Sequence, residues 1–293
     1  MSLEIGDPGS YHFDLRSKAT AAGPLPDDGL ALLRRLTSDP DRTNPVDVLQ
    51  LGLGAVQLRE PEWLAAAAGV VAWIESWMDE QGLLAYRFPM RHTFPLEPPW
   101  HSALAQGEAA SFLVRCAEVL SRADLLDLAE RAVAPLVDPA SPLVASTAEG
   151  PVLQEYPTTP PAHVLNGWIT SLWGLHDIAS MPGPARTDVS ASARAAFQAG
   201  VATLAVRLDR YRTPIGWSRY DLYPHPLANV ASPFYHRLHV EQLRTLNAMA
   251  PYDVFTETAD AWERAAERPL TRAFAVSRKV AFRLARPRWR RAR

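Results

Sequence analysis

Apolar residues recur at helical spacing along most of this chain, and prolines, glycines and acidic residues separate one apolar run from the next. "NPVDVLQLGLGAVQL" has a capping asparagine at Asn44, a proline in the first helical position and apolar residues of helical period, so it predicts a helix. A second helix is predicted from Pro61 to about Asp79, with Trp73 and Trp77 four apart on one face. A third runs from about Trp100 to Ala123, and "ADLLDLAERAVAPLV" continues as a fourth. Further helices are predicted over about 161–179, 187–209, 236–249, 253–266 and 268–285. Two stretches stand apart. Residues 1–43 are rich in Gly, Pro and Asp and read as an irregular lead-in with one short helix, Asp27 to Leu36. Tyr211 to Tyr235, "YRTPIGWSRYDLYPHPLANVASPFY", reads as a long loop or short hairpin, a length that in a compact domain points to function.

Helical hairpins joined by aromatic, proline-rich loops predict an all-α fold, an α/α-barrel in the form of an incomplete toroid with a cleft lined by loops at one end. The catalytic unit is placed at 44–285, with a basic tail at 286–293. Architecture alone does not assign an activity.

Composition narrows the field. With 293 residues, 47% of them hydrophobic, the chain can bury a sizeable core, and its net charge of -2 gives no global basic surplus for nucleic acid. The single cysteine, Cys116, precludes an internal disulfide and leans the expectation towards the cytoplasm. The first twenty residues lack the pattern of a signal peptide, and no segment has the roughly 18 uninterrupted apolar residues of a membrane span. "RLARPRWRRAR", Arg283 to Arg293, reads as a solvated tail or as a weak hold on an anionic polysaccharide or membrane surface.

Metal, nucleotide and serine-hydrolase motifs are absent: there is no H-E-x-x-H pair, phosphate-binding glycine loop or G-x-S-x-G elbow. No metal site and no cofactor are expected. What remains is a set of carboxylate and aromatic residues where the chain enters or leaves helices. Glu155 and Tyr156 lie in "LQEYPTTPPAHVLNGW", Tyr220 and Asp221 follow Arg219, and Tyr235 precedes His236 and Arg237. A tyrosine acting as a base needs a nearby cation, which Arg219, Arg237, His236 or His239 would offer. Read only as residues, Tyr156 and Tyr235 serve equally well as half-buried loop caps, with Glu155 solvated. Trp100, Gln106 and Glu108, in or beside "ALAQGEA", and Asn166 in "VLNGW" are similarly open between helix packing and contact with a sugar hydroxyl.

"LEPPWHSALAQGEAASFLVR", "QEYPTTPPAHVLNGWITSLWGLHDI" and "RYDLYPHPLANVASPFYHRLHVEQLRTL", with the earlier "NPVDVLQLGLGAV", resemble in the same order the catalytic domain of the D-glucuronyl C5-epimerases of heparan sulfate and heparosan. The similarity runs from about Asn44 to Ala250. It implies an α/α-barrel isomerase that removes the hydrogen at carbon 5 of glucuronic acid within a polysaccharide. A proton returned to the opposite face then gives iduronic acid, with no cofactor required. Carried over by motif, the resemblance makes Glu155, Tyr156, Tyr220 and Tyr235 catalytic, with Glu155 and Tyr235 as the two-face acid/base pair. It makes Arg87, Trp100, Gln106, Asn166, Arg219, His236 and His239 substrate-binding. The implied partner is an anionic uronic-acid polysaccharide, and a homodimer is compatible with the resemblance.

Two departures accompany it. Tyr223 stands where the animal enzymes carry an arginine suited to the uronate carboxylate, so Arg219, Arg87 or Arg91 would have to replace that arginine. A large β-rich region of the animal enzymes, with its calcium site, is missing. Competing readings are a polysaccharide lyase, a glycoside hydrolase pairing Glu155 with Asp221 or Glu97, and a non-catalytic glycan-binding protein.

Overall fold

The computed structural model describes residues 11–20, 29–91, 93–181 and 187–286. Among these residues there are eleven α-helices and one two-stranded sheet, which establishes the all-α class. In chain order the helices are α1 (Arg16–Thr20), α2 (Gly29–Thr37), α3 (Pro45–Leu58), α4 (Pro61–Trp77), α5 (Ala103–Val119) and α6 (Leu125–Val137). The hairpin β1 (Val144–Thr147) and β2 (Gly150–Leu153) follows, then α7 (Leu165–Ala179), α8 (Thr187–Arg207), α9 (Pro233–Met249), α10 (Asp253–Glu267) and α11 (Pro269–Ala285). Most of the basic tail lies outside the described residues. None of the described helices is long and apolar enough to cross a membrane.

The helices form two rows. An inner row packs α3 against α5, α5 against α7 and α7 against α9, and the next helix in the chain backs each of them: α4, α6, α8 and α10. The central helices α5 and α7 are buried almost all round, and accordingly carry mostly apolar or small residues on every face. The crossing of α5 and α7 is tight because a Cβ on Gly174 would lie 2.5 Å from the Gly107 Cα, and one on Gly107 would lie 2.7 Å from the Ser171 Cα. The small residues of "ALAQGEA" therefore do serve helix packing.

The cap expected at Asn44 is present, and a second one at Ser232 starts α9 at Pro233 instead of about 236. The Asn44 side chain accepts from the Val46 amide, with Pro45 opening α3, and α9 begins with Ser232 accepting from the Tyr235 amide. The second cap places Tyr235 in the first turn of α9. The stacked pair Trp73 and Trp77 lies on one face of α4, ring centroids 5.4 Å apart.

Three expectations need adjustment. The helix predicted from Trp100 begins at Ala103; Trp100 pairs instead with Tyr86 in an antiparallel bridge and stacks on its ring at 3.8 Å. The helix predicted from Pro161 begins at Leu165, because the backbone before it pairs with another loop: the Leu222 amide donates to the Ala162 carbonyl and the Leu165 amide to the Tyr220 carbonyl. His163, with φ of 46°, turns the chain between those two contacts. The described residues of the lead-in are also packed on the rest. Tyr11, Leu15 and Ala19 are buried in the main core.

Candidate active site

A cavity of about 400 Å³ opens between the inner helices and the loops at their ends. Glu155, Tyr156, Asn166, Trp100 and Tyr235 line it, which brings together five of the eleven residues put forward from sequence. They arrive from four directions: Trp100 before α5, Glu155 and Tyr156 from the segment after β2, Asn166 in the first turn of α7, and Tyr235 at the start of α9.

Glu155 is 5% exposed and lies against α7. A Cβ on Gly167 would come within 2.3 Å of its Oε2 and 2.5 Å of its Cβ, so the glycine of "VLNGW" makes room for the carboxylate. The Asn166 amide donates to Oε2 at 3.4 Å. Burial raises the Glu155 pKa to about 7, partly offset by hydrogen bonding from Tyr156 and Asn166 that favours the ionised form. A carboxyl poised near neutrality in a cleft is suited to proton transfer.

The tyrosines are held differently. Tyr156 stacks on Phe94 at 4.7 Å and tilts against Trp100 at 5.8 Å. Tyr235 lies edge-on to Tyr220 at 4.9 Å. Tyr220 does not line the cavity; it supports Tyr235 from behind and lies under Lys279, whose Nζ is 5.3 Å from the ring. Burial, and then the negative charge of Glu155, push Tyr156 and Tyr220 well above the ordinary phenol range, so both are protonated donors.

The other predicted substrate contacts lie elsewhere. The Gln106 amide is used by backbone: Oε1 accepts from the Leu84 amide at 3.0 Å, and Nε2 donates to the Gly82 and Ala132 carbonyls at 2.7 Å each. His236 stacks on Trp217 at 3.7 Å and bonds Ser218 and the Trp262 carbonyl, while His239 Nδ1 shares the same Ser218 hydroxyl. Both imidazoles fasten α9 to the loop of 211–235. Burial holds both below the ordinary histidine pKa, so they are neutral. Arg87 stacks over Trp77 at 3.9 Å and Arg91 reaches exposed Glu97 at 3.9 Å; neither lines the cavity, nor do Arg219 and Tyr223.

Asp221 is likewise spent on structure. It accepts from the Asn229 amide and the Tyr223 backbone, with the His225 Nε2 3.5 Å away. With Glu97 exposed and Asp221 buried among these partners, the two carboxylates suggested for a hydrolase with Glu155 are both outside the cavity.

A second buried carboxylate does line it. Glu108 on α5 is 3% exposed, accepts from Gln50 Nε2 on α3 at 3.0 Å, and is raised by burial to about 8. Sequence left Glu108 open between helix packing and contact with a sugar hydroxyl, and its signal there was a charge among the small residues of "ALAQGEA". Elsewhere, His12, His176 and Asp177 bring metal-type ligand atoms together, but Arg115 already donates to Asp177 at 2.7 Å and sits 3.4 Å from the same His12 nitrogen. A guanidinium in that position makes the group an ion-pair network that ties the N-terminal segment to α5 and α7.

Beyond geometry, residues 78–264 match the family model described as D-glucuronyl C5-epimerase C-terminus. The chain belongs to that family. It is 32% identical over 179 residues to a D-glucuronyl C5-epimerase of Caenorhabditis elegans, an alignment covering 57% of this chain and 29% of that protein. The chain thus corresponds to a minor part of its curated relative's length. The epimerase-family match contains Glu155, Tyr156, Tyr220 and Tyr235, whereas the cavity extends beyond it to residues 11–50.

Proposed function

We propose that this protein inverts carbon 5 of D-glucuronic acid residues in a heparosan-like polysaccharide, with Glu155 as base and Tyr235 as acid. The observation that carries the reading is a neutral-range carboxylate and a tyrosine lining one cavity, in a chain of the C5-epimerase family.

The hydrogen at carbon 5 is weakly acidic because it is next to a carboxylate, so its removal needs a base in contact and donors where charge accumulates. Ionised Glu155 takes that proton, and the electron pair moves into the uronate carboxylate as an enediolate. The Tyr235 hydroxyl then delivers a proton to carbon 5 from the opposite face, giving L-iduronate, protonated Glu155 and a phenolate. Tyr156, a hydrogen-bond partner of Glu155, offers a route by which the proton returns and the site resets. Activity should rise with pH through about 7, as Glu155 ionises.

Incubation with heparosan in heavy water tests this. Deuterium at carbon 5 together with iduronate, and no chain cleavage, is the expected result. An unsaturated uronate would instead identify a lyase, in which the same carbanion expels the group at carbon 4. New saturated reducing ends would identify a hydrolase, and binding without change a glycan-binding protein.

A further inference from the structure

A uronate carrying developing charge needs a positive or hydrogen-bond-donating partner, yet none of the three arginines available to replace the expected one lines the cavity. Among the described residues, the one basic side chain lining it is Lys18 on α1. Glu108 lines the same cavity and feels the charge of Lys18, which favours its ionised form.

Lys18 is held in place by firm packing of the N-terminal segment. The Gln57 side chain accepts from the Leu15 amide at 2.7 Å and donates to the Phe13 carbonyl at 2.9 Å. A Cβ on Gly54 would meet the Leu15 carbonyl oxygen at 2.4 Å, so α1 lies directly on the backbone of α3. Tyr11, Leu15 and Ala19 anchor the same segment in the core. Lys18 itself is exposed, at the rim, where a long side chain can reach an entering anion.

Glu108 has the complementary feature. Its Oε1 accepts from Gln50, while Oε2 is buried and has no hydrogen-bond partner. A protonated Glu108 therefore carries its hydrogen on Oε2, free to donate.

We propose that Lys18 and protonated Glu108 together form the carboxylate-binding site of this chain, taking the place of the arginine missing at Tyr223. Lys18 supplies the charge at the rim and the Glu108 Oε2 hydroxyl supplies a hydrogen bond from the wall. The ligand class is a hexuronate carboxylate within a glycan. The inference deepens the epimerase reading and rests on it for the identity of the sugar, but the site itself is a property of binding and is testable without turnover.

The groups facing Glu108 are Asp47 and Gln50 from α3, Lys18 from α1, Tyr11, Tyr86 and Glu155. Only Lys18 and Gln50 favour its ionised form, and burial outweighs them, so the proton is retained up to about pH 8.

The test compares binding of a heparosan oligosaccharide with its carboxyl-reduced, uncharged counterpart by calorimetry. Wild-type protein should prefer the carboxylate form, and Lys18→Met should lose about tenfold of that preference while Lys18→Arg keeps it. Glu108→Gln, which retains a donor, should bind normally at neutral pH and should lose the weakening that wild type shows above about pH 8. Loss of preference in Lys18→Met, in a protein that shows no exchange at carbon 5, would support the carboxylate site and retire the epimerase reading. Unchanged preference in Lys18→Met, together with the same alkaline weakening in Glu108→Gln as in wild type, would overturn the site, whether or not exchange occurs.

Discussion

The cavity holds two buried carboxyls in different company. Glu155 lies among tyrosines and an asparagine amide, in loop and helix segments inside the family match. Glu108 faces Gln50, Asp47 and Lys18, which come from helices preceding it. Burial raises both carboxyls, to about 7 and about 8. Desolvation alone thus does not distinguish a base from a binding group. What separates them is the second contact: a phenol donor and an asparagine amide beside Glu155, a cation and a glutamine amide beside Glu108.

The largest expected effect falls at Glu155. Glu155→Gln keeps the shape and the Asn166 contact but cannot take a proton, so exchange at carbon 5 should drop by about a thousandfold or more, with melting temperature nearly unchanged. Gly167→Ala should come next. Its Cβ would occupy the space of the Glu155 carboxylate, and displacing a base by about an ångström costs roughly a hundredfold, read as a loss in kcat with the helix retained.

A smaller effect on catalysis distinguishes Glu108, which is read by stability. Its folded-state pKa of about 8 exceeds its ordinary value of 4.5, so between these the folded protein keeps a proton that the unfolded chain releases. Stability from this group is therefore full at acid pH and falls as pH rises towards 8, by roughly 1.4 kcal/mol per pH unit across that window. Glu108→Gln should flatten that fall and melt higher than wild type at about pH 9, beyond the upper end of the window. Smallest in catalysis is Gln106→Ala. Removing its three hydrogen bonds should cost about 1–3 kcal/mol of stability for each buried backbone group left unpaired and leave KM unchanged, which separates a structural amide from a substrate contact.

Much of this was legible in the sequence, and the reasons differ by residue. Helix positions followed from period and caps, as at Asn44, because both signals are local, although the Ser232 cap starts α9 at Pro233, ahead of the expected 236. Trp100 and Pro161 misled because a good helical pattern yields where backbone groups find partners in a distant loop. Gln106, His236 and His239 looked like ligand groups for a related reason. A polar side chain in an apolar helix must bond something, and sequence cannot tell a sugar hydroxyl from the Gly82 carbonyl or the Ser218 hydroxyl. Glu108 and Lys18 were obscured from the other side. Their juxtaposition depends on α1 docking on α3, fixed by Gln57 and Gly54, which no local pattern announces.

The central claim is that proton removal and proton return belong to different residues on opposite faces of the sugar. Its most direct measurement is deuterium uptake at carbon 5 of glucuronate in heavy water by Tyr235→Phe beside Glu155→Gln. The account predicts that Tyr235→Phe, which keeps the base, still exchanges the hydrogen with retention and forms little iduronate, while Glu155→Gln leaves glucuronate unlabelled. Full inversion by Tyr235→Phe, or undiminished exchange by Glu155→Gln, would contradict it.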